Sequence, residues 1–170
     1  PILTMSRISR SSLARAISAV DAMDRHQQEG FADEIFKSQP NMFGSILVLS
    51  KMGVPADRMG FPVRMLLMCF QSMKESGLVW PTISEQDLSR ELNRWVSTVQ
   101  KGDKLNASLR LYSTQIYIDA HPEKDLLAYI TTGMAQWLDE MPAQEADRYV
   151  MMAVQNLVNC IAYVDIETKK

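Results

Sequence analysis

Apolar residues recur at three- and four-residue intervals along most of the chain, the spacing of helices that bury one face. This pattern predicts a first helix over Ser11–Glu29, which Gly30 would end. A short amphipathic piece follows over residues 31–36. A second long helix is predicted over Asn41–Gly53, with Asn41 as its N-cap.

Two stretches have no polar face at all. Residues 62–76 and residues 143–166 are apolar on nearly every side of a helix. Such helices are typical of the centre of a bundle, because each of their faces needs apolar neighbours. The chain is therefore predicted to be all-α, a single-domain globular bundle of about six to seven helices around these two central ones.

Three further segments complete the predicted bundle. Residues 84–102 form a helix with Ser84 as a favourable N-cap, and residues 122–141 form another that Pro122 opens. Residues 105–119 fit both the helical and the strand period. We favour a helix there because a lone strand would have no partner, and the choice between helix and strand stays open.

Length and composition agree with one domain over residues 1–170, with residues 1–10 as a candidate flexible arm. No apolar run is long enough to span a membrane and no signal peptide is visible, so we expect a soluble protein of the cytoplasm. Cys69 and Cys160 lie in apolar stretches and are expected to be buried free thiols.

The chain carries no sequence motif of a known catalytic or cofactor site. It has no glycine-rich phosphate loop, no Cys-x-x-Cys and no His-Glu-x-x-His, and only two histidines. We expect neither a cofactor nor a bound metal. A non-enzymatic role is favoured, and enzyme activity is left open.

The leading hypothesis is a non-enzymatic helical interaction or regulatory protein that acts through protein–protein contacts. The chain is methionine-rich, with twelve methionines and three tryptophans, more than a small core needs. Met52, Met59, Phe61 and Trp80 are the candidate interaction patch, because they flank turn regions between predicted helices. The partner would be another protein or a second copy, with a homodimer favoured.

Two alternatives come from other classes of function. Residues 82–102 resemble a degenerate helix-turn-helix with its turn at Asn93, which would make the chain a DNA-binding regulator. Because the chain has a net charge of −2, nucleic acid would have to bind a local basic patch rather than the whole surface. The candidate nucleic-acid contacts are Arg94, Ser97, Thr98, Gln100 and Lys101.

The other alternative is a small-molecule sensor with an apolar pocket between residues 62–76 and 143–166.

Overall fold

The computed structural model describes residues 5–103, 106 and 115–166, and all regular structure in these residues is helical. The α-helices are α1 (Arg10–Asp21), α2 (Arg25–Ser38), α3 (Pro40–Leu47), α4 (Gly60–Glu75), α5 (Glu85–Asp103), α6 (Lys124–Glu140) and α7 (Asp147–Tyr163). Short 3₁₀ helices cover Val48–Met52 and Ala56–Arg58, and residues 115–120 are helical. The predicted all-α bundle is confirmed.

The two apolar helices lie at the centre, as predicted. α4 buries every residue from 65 to 73, and α7 buries every residue from 154 to 162. These two helices pack against each other, while α1 covers α4 and α5 covers α7. Because both helices are enclosed on nearly every side, their apolar side chains form the middle of one continuous core.

The predicted first helix over 11–29 is wrong, because the chain breaks after α1 and starts again at α2. The Asp24 carboxylate accepts a hydrogen bond from the Gln27 backbone N–H (2.8 Å), and the Gln27 side chain accepts one from the Asp24 N–H (2.9 Å). This capping box starts a helix that runs through Gly30. The glycine costs a helix only about 1 kcal/mol, too little to end one that is capped and packed.

The second predicted helix ends at Gly53 as expected, but its cap is different. Gln39 occupies the N-cap position and Pro40 the first turn. The Asn41 side chain instead donates to the Ile83 carbonyl (2.9 Å), which joins α3 to the segment before α5. The last turn is 3₁₀, and Gly53 closes it with φ +98°, a conformation that glycine adopts without a Cβ clash.

α5 is one unbroken helix, as predicted for residues 84–102, so the alternative of a helix-turn-helix with its turn at Asn93 is wrong. Its start is as predicted: the Ser84 hydroxyl accepts from the Asp87 N–H (3.0 Å), and the Asp87 carboxylate accepts from the Ser84 N–H (2.9 Å). Asn93, the expected turn residue, lies exposed in mid-helix. Nothing at this position interrupts the helical hydrogen bonds, because asparagine is only mildly unfavourable inside a helix.

The ambiguous segment 105–119 and the predicted arm 1–10 are described in part. Residues 115–119 are helical, whereas 104–105 and 107–114 lie outside the described residues, as do 1–4. The rest of the arm is held in place: Ile8 is fully buried, and the buried Glu123 carboxylate accepts from the Ile8 N–H (3.2 Å).

Candidate interaction groove

An apolar groove of about 240 Å³ lies between α5, α7 and residues 45–52, which comprise the end of α3 and the 3₁₀ helix that follows it. Two of its walls follow helical spacing, with positions 45, 48, 49 and 52 on one side and 149, 152, 153 and 156 on the other. The lining residues are Ser45, Val48, Leu49, Met52, Leu88, Ser89, Leu92, Tyr149, Met152, Ala153 and Asn156.

The groove exists because the apolar face of α5 that carries Leu88 and Leu92 is not fully buried. The residue of α5 enclosed most deeply is Glu91, which is 1% exposed, while Leu88 and Leu92 are only half-buried. On the opposite wall Val48 and Met52 are 43% and 44% exposed. The groove therefore presents apolar surface to water on both sides, and covering that surface would be favourable.

Asn156 lines the groove, and one polar atom of its side chain has no hydrogen-bond partner among the described residues. Its side-chain nitrogen donates to the Leu88 carbonyl (3.0 Å), and this contact fixes which end of the amide is the oxygen. The oxygen, Oδ1, has no hydrogen-bond partner among the described residues, although Asn156 is only 6% exposed. Leaving a buried amide oxygen without a donor costs about 1–3 kcal/mol.

The four residues of the predicted patch do not form one surface. Met52 lines the groove, and Met59 is half-buried beside a neighbouring hollow. Phe61 lies in the first turn of α4, whereas the Trp80 indole donates to the Met73 carbonyl (3.0 Å) near the other end of that helix. Phe61 and Met73 are twelve positions apart, which corresponds to about 18 Å along the helix.

Sequence reasoning missed most of the groove. The groove positions of α7 belong to the stretch that was assigned to the core as a whole, because it is apolar almost throughout. Tyr149 and Asn156, seven residues apart on one face of α7, are the signal that could have found them. Both are residues with a polar tip, which indicates a face that is not wholly enclosed.

The predicted nucleic-acid contacts lie on the C-terminal half of α5. Ser97, Thr98, Gln100 and Lys101 are exposed there. Arg94 is engaged within the protein: its guanidinium pairs with the Glu91 carboxylate (3.4 Å) and lies 4.6 Å from the centroid of the Tyr163 ring. These residues therefore share one exposed helix face but belong to no recognition helix of a helix-turn-helix.

A second, wider cleft of about 660 Å³ lies between α4 and α6. The rings of Phe61 and Trp137 stack beside it, with centroids 5.0 Å apart and planes 13° from parallel. Arg64, Tyr129 and Gln136 add polar groups to its lining. In place of the pocket predicted between α4 and α7, these two helices pack directly against each other, and the cleft lies between α4 and α6.

A buried histidine contacts α7 at Asn159, about one turn beyond Asn156, and has a structural role. The His121 Nδ1 accepts from the Glu123 backbone N–H (3.0 Å), so Nε2 carries the proton and donates to Asn159 Oδ1 (2.9 Å). Burial lowers the pKa of His121, and the hydrogen bond to Asn159 offsets this only in part. The ring is therefore neutral at pH 7, with both nitrogens occupied.

Both cysteines are buried free thiols, as predicted. Burial raises the pKa of Cys69 and that of Cys160 to about 12, with a further contribution from Glu91 at Cys160. A thiol with such a pKa carries almost no thiolate at pH 7, and the thiolate is the nucleophilic form. Neither residue is placed for covalent catalysis.

Over the described residues, no group of three or more His, Cys, Asp or Glu side chains is arranged to hold a metal ion. None of the helices in this part of the chain combines the length and the apolar character needed to cross a bilayer. Comparison of the chain with protein-family models, with curated proteins and with solved structures finds no match.

Proposed function

We propose that the chain is a non-enzymatic interaction domain that binds an amphipathic helix of a partner protein in the groove between α3, α5 and α7. The observation that carries the proposal is the spacing of two groove walls, each with positions i, i+3, i+4 and i+7. Rows of side chains with this spacing leave a trough that accepts the ridge of another helix. Helix-in-groove binding of this kind is a common mode of protein recognition.

The size of the groove favours a single helix over other occupants. Its volume of about 240 Å³ is below the range of about 300–1,000 Å³ that is typical of small-molecule sites. Eleven residues line it, whereas a stable interface between two folded proteins involves about 20–30 residues on each side. A homodimer through this groove alone would therefore be weak. The homodimer stays a prediction, which sedimentation equilibrium tests.

A pair of matched variants tests the groove. Met52 lines it and is 44% exposed, while Met151 lies outside it on α7 and is 39% exposed. Both tolerate Met→Glu with little loss of stability, because both side chains already reach water. Helical peptides would be selected from a displayed library against the wild-type protein, and their affinities measured for Met52→Glu and Met151→Glu.

We expect the selected peptides to carry apolar residues at i, i+3 or i+4, and i+7. Their affinity should fall at least about tenfold for Met52→Glu, where a charge would be desolvated, and stay within about twofold for Met151→Glu. Failure to select any such peptide, or equal losses in the two variants, would refute the proposal. Melting temperatures of both variants show that each one is folded.

The cleft between α4 and α6 supports a second candidate, a small-molecule sensor. Its volume of about 660 Å³ lies within the usual range for ligand sites, and an aromatic stack borders it. A screen of planar aromatic compounds, followed by melting temperature, tests this candidate. Stabilisation should be lost in Gln136→Trp, which fills the cleft from an exposed position. A screen without a saturable hit that this variant abolishes would exclude it.

A further inference from the structure

We infer that the helix bound in the groove anchors itself with a tryptophan, whose indole N–H is donated to Asn156 Oδ1. This inference rests on the proposed function and names the side chain that the groove selects. Its basis is the combination of a mainly apolar lining with one buried hydrogen-bond acceptor that the described residues leave unsatisfied.

The Asn156 side chain can still accept a hydrogen bond, whereas its amide nitrogen already donates one. Its amide nitrogen is held by the Leu88 carbonyl, which leaves the oxygen as the group that lacks a partner. On the opposite wall, Ser45 already donates its hydroxyl to the Met42 carbonyl (2.7 Å). An occupant must therefore bring a donor to Asn156 and apolar surface to most of the groove, whose other polar lining is the hydroxyl groups of Ser45, Ser89 and Tyr149.

Among natural side chains the indole of tryptophan meets both needs. It has one N–H donor and no acceptor, so it leaves no polar atom of its own unsatisfied. Tyrosine would bring an oxygen that also needs a donor, and lysine or arginine would bring a charge into a mainly apolar trough. Tryptophan is also among the residues that contribute most often to binding energy at interfaces.

A second copy of this chain is less suited to the site. Its exposed large apolar side chains, over the described residues, all lack a hydrogen-bond donor and so cannot satisfy Asn156. They are Met5, Phe36, Leu47, Val48, Met52, Leu78, Val79, Val99, Ile116 and Met151. These side chains could fill the apolar part of the groove but would leave Asn156 Oδ1 without a donor.

Entry of the ring requires a small rearrangement, because Asn156 Oδ1 is covered in the free groove. Met52 and Met152 line the groove and are the side chains suited to move. Methionine is unbranched and has three rotatable bonds, so it changes shape at little cost. The inference requires that these side chains move while α5 and α7 stay in place.

Indole and 1-methylindole are the probes that test the acceptor. The two have nearly the same shape, but methylation removes the donor. Binding would be followed by NMR titration of the wild-type protein and of the nearly isosteric variant Asn156→Leu. The side-chain amide signal of Asn156 is the readout in the wild type, and backbone amide signals are the readout in the variant. A melting curve establishes that the variant is folded, and the comparison of the two probes on the wild-type protein does not depend on it.

We expect indole to bind the wild-type groove about tenfold more tightly than 1-methylindole, and this preference to vanish in Asn156→Leu. Equal affinities on the wild type, no binding of indole, or a preference that persists in Asn156→Leu would each overturn the inference. If selected helical peptides still bind through Met52 in that case, only the tryptophan anchor fails. If no peptide binds the groove, the proposed function fails with it.

Discussion

The buried ion pair between Arg58 and Asp147 allows a quantitative test of the packing described above. Arg58 Nε and Nη2 donate to the two oxygens of Asp147 at 2.8 and 2.6 Å, and the two side chains are 0% and 8% exposed. The guanidinium also lies 4.7 Å from the centroid of the Trp137 ring. The pair thus joins the connection before α4 to the start of α7.

Removing one partner should cost far more than removing both. Arg58→Met would leave the Asp147 carboxylate buried, with the Gln144 backbone N–H (2.9 Å) as its remaining donor. Breaking a buried pair in this way typically costs about 3–5 kcal/mol, which lowers the melting temperature of a domain of this size by about 6–20 °C. Asp147→Leu should cost a similar amount, because it leaves the guanidinium unpaired. The double variant should be more stable than either single one, because it leaves no buried charge.

Urea unfolding followed by circular dichroism at pH 7, with all four proteins measured in one buffer, gives the coupling free energy of this cycle. We expect the two single losses to sum to at least about 3 kcal/mol more than the loss in the double variant. Single losses below about 1 kcal/mol, or additive losses, would contradict a buried pair, because ion pairs of that strength are typical of the solvent-exposed surface.

Three further predictions concern other parts of the core. Because burial lowers the pKa of His121 in the folded protein, the unfolded chain takes up the proton first. Stability should therefore fall as pH drops from about 6.5 towards the lowered folded pKa, and this fall should be smaller in His121→Gln. Cys69 and Cys160 should resist iodoacetamide at pH 8 until the protein is unfolded, and rapid native alkylation would contradict their burial. Gly53→Ala should cost about 1–2 kcal/mol in urea unfolding, since φ is +98° there, and no loss would exclude this conformation.

The sequence by itself determined the features that depend on local composition. A helix that is apolar on nearly every side is typical of the centre of a bundle, so α4 and α7 could be assigned there without knowledge of their neighbours. The start of α5 was equally local, because Ser84 and Asp87 satisfy each other's backbone within one turn. Burial of Cys69 and Cys160 followed from the apolar stretches that contain them.

Only the tertiary structure decided which side of α5 faces inward and what that leaves uncovered. Leu88 and Leu92, four residues apart on one face of α5, are only half-buried, whereas Glu91 is enclosed and paired with Arg90 (3.3 Å) and Arg94 (3.4 Å). The rotation of a helix on its neighbour is set by how the side chains of both interlock, and no single segment contains that information. The groove, built from three segments far apart in the chain, follows from this rotation.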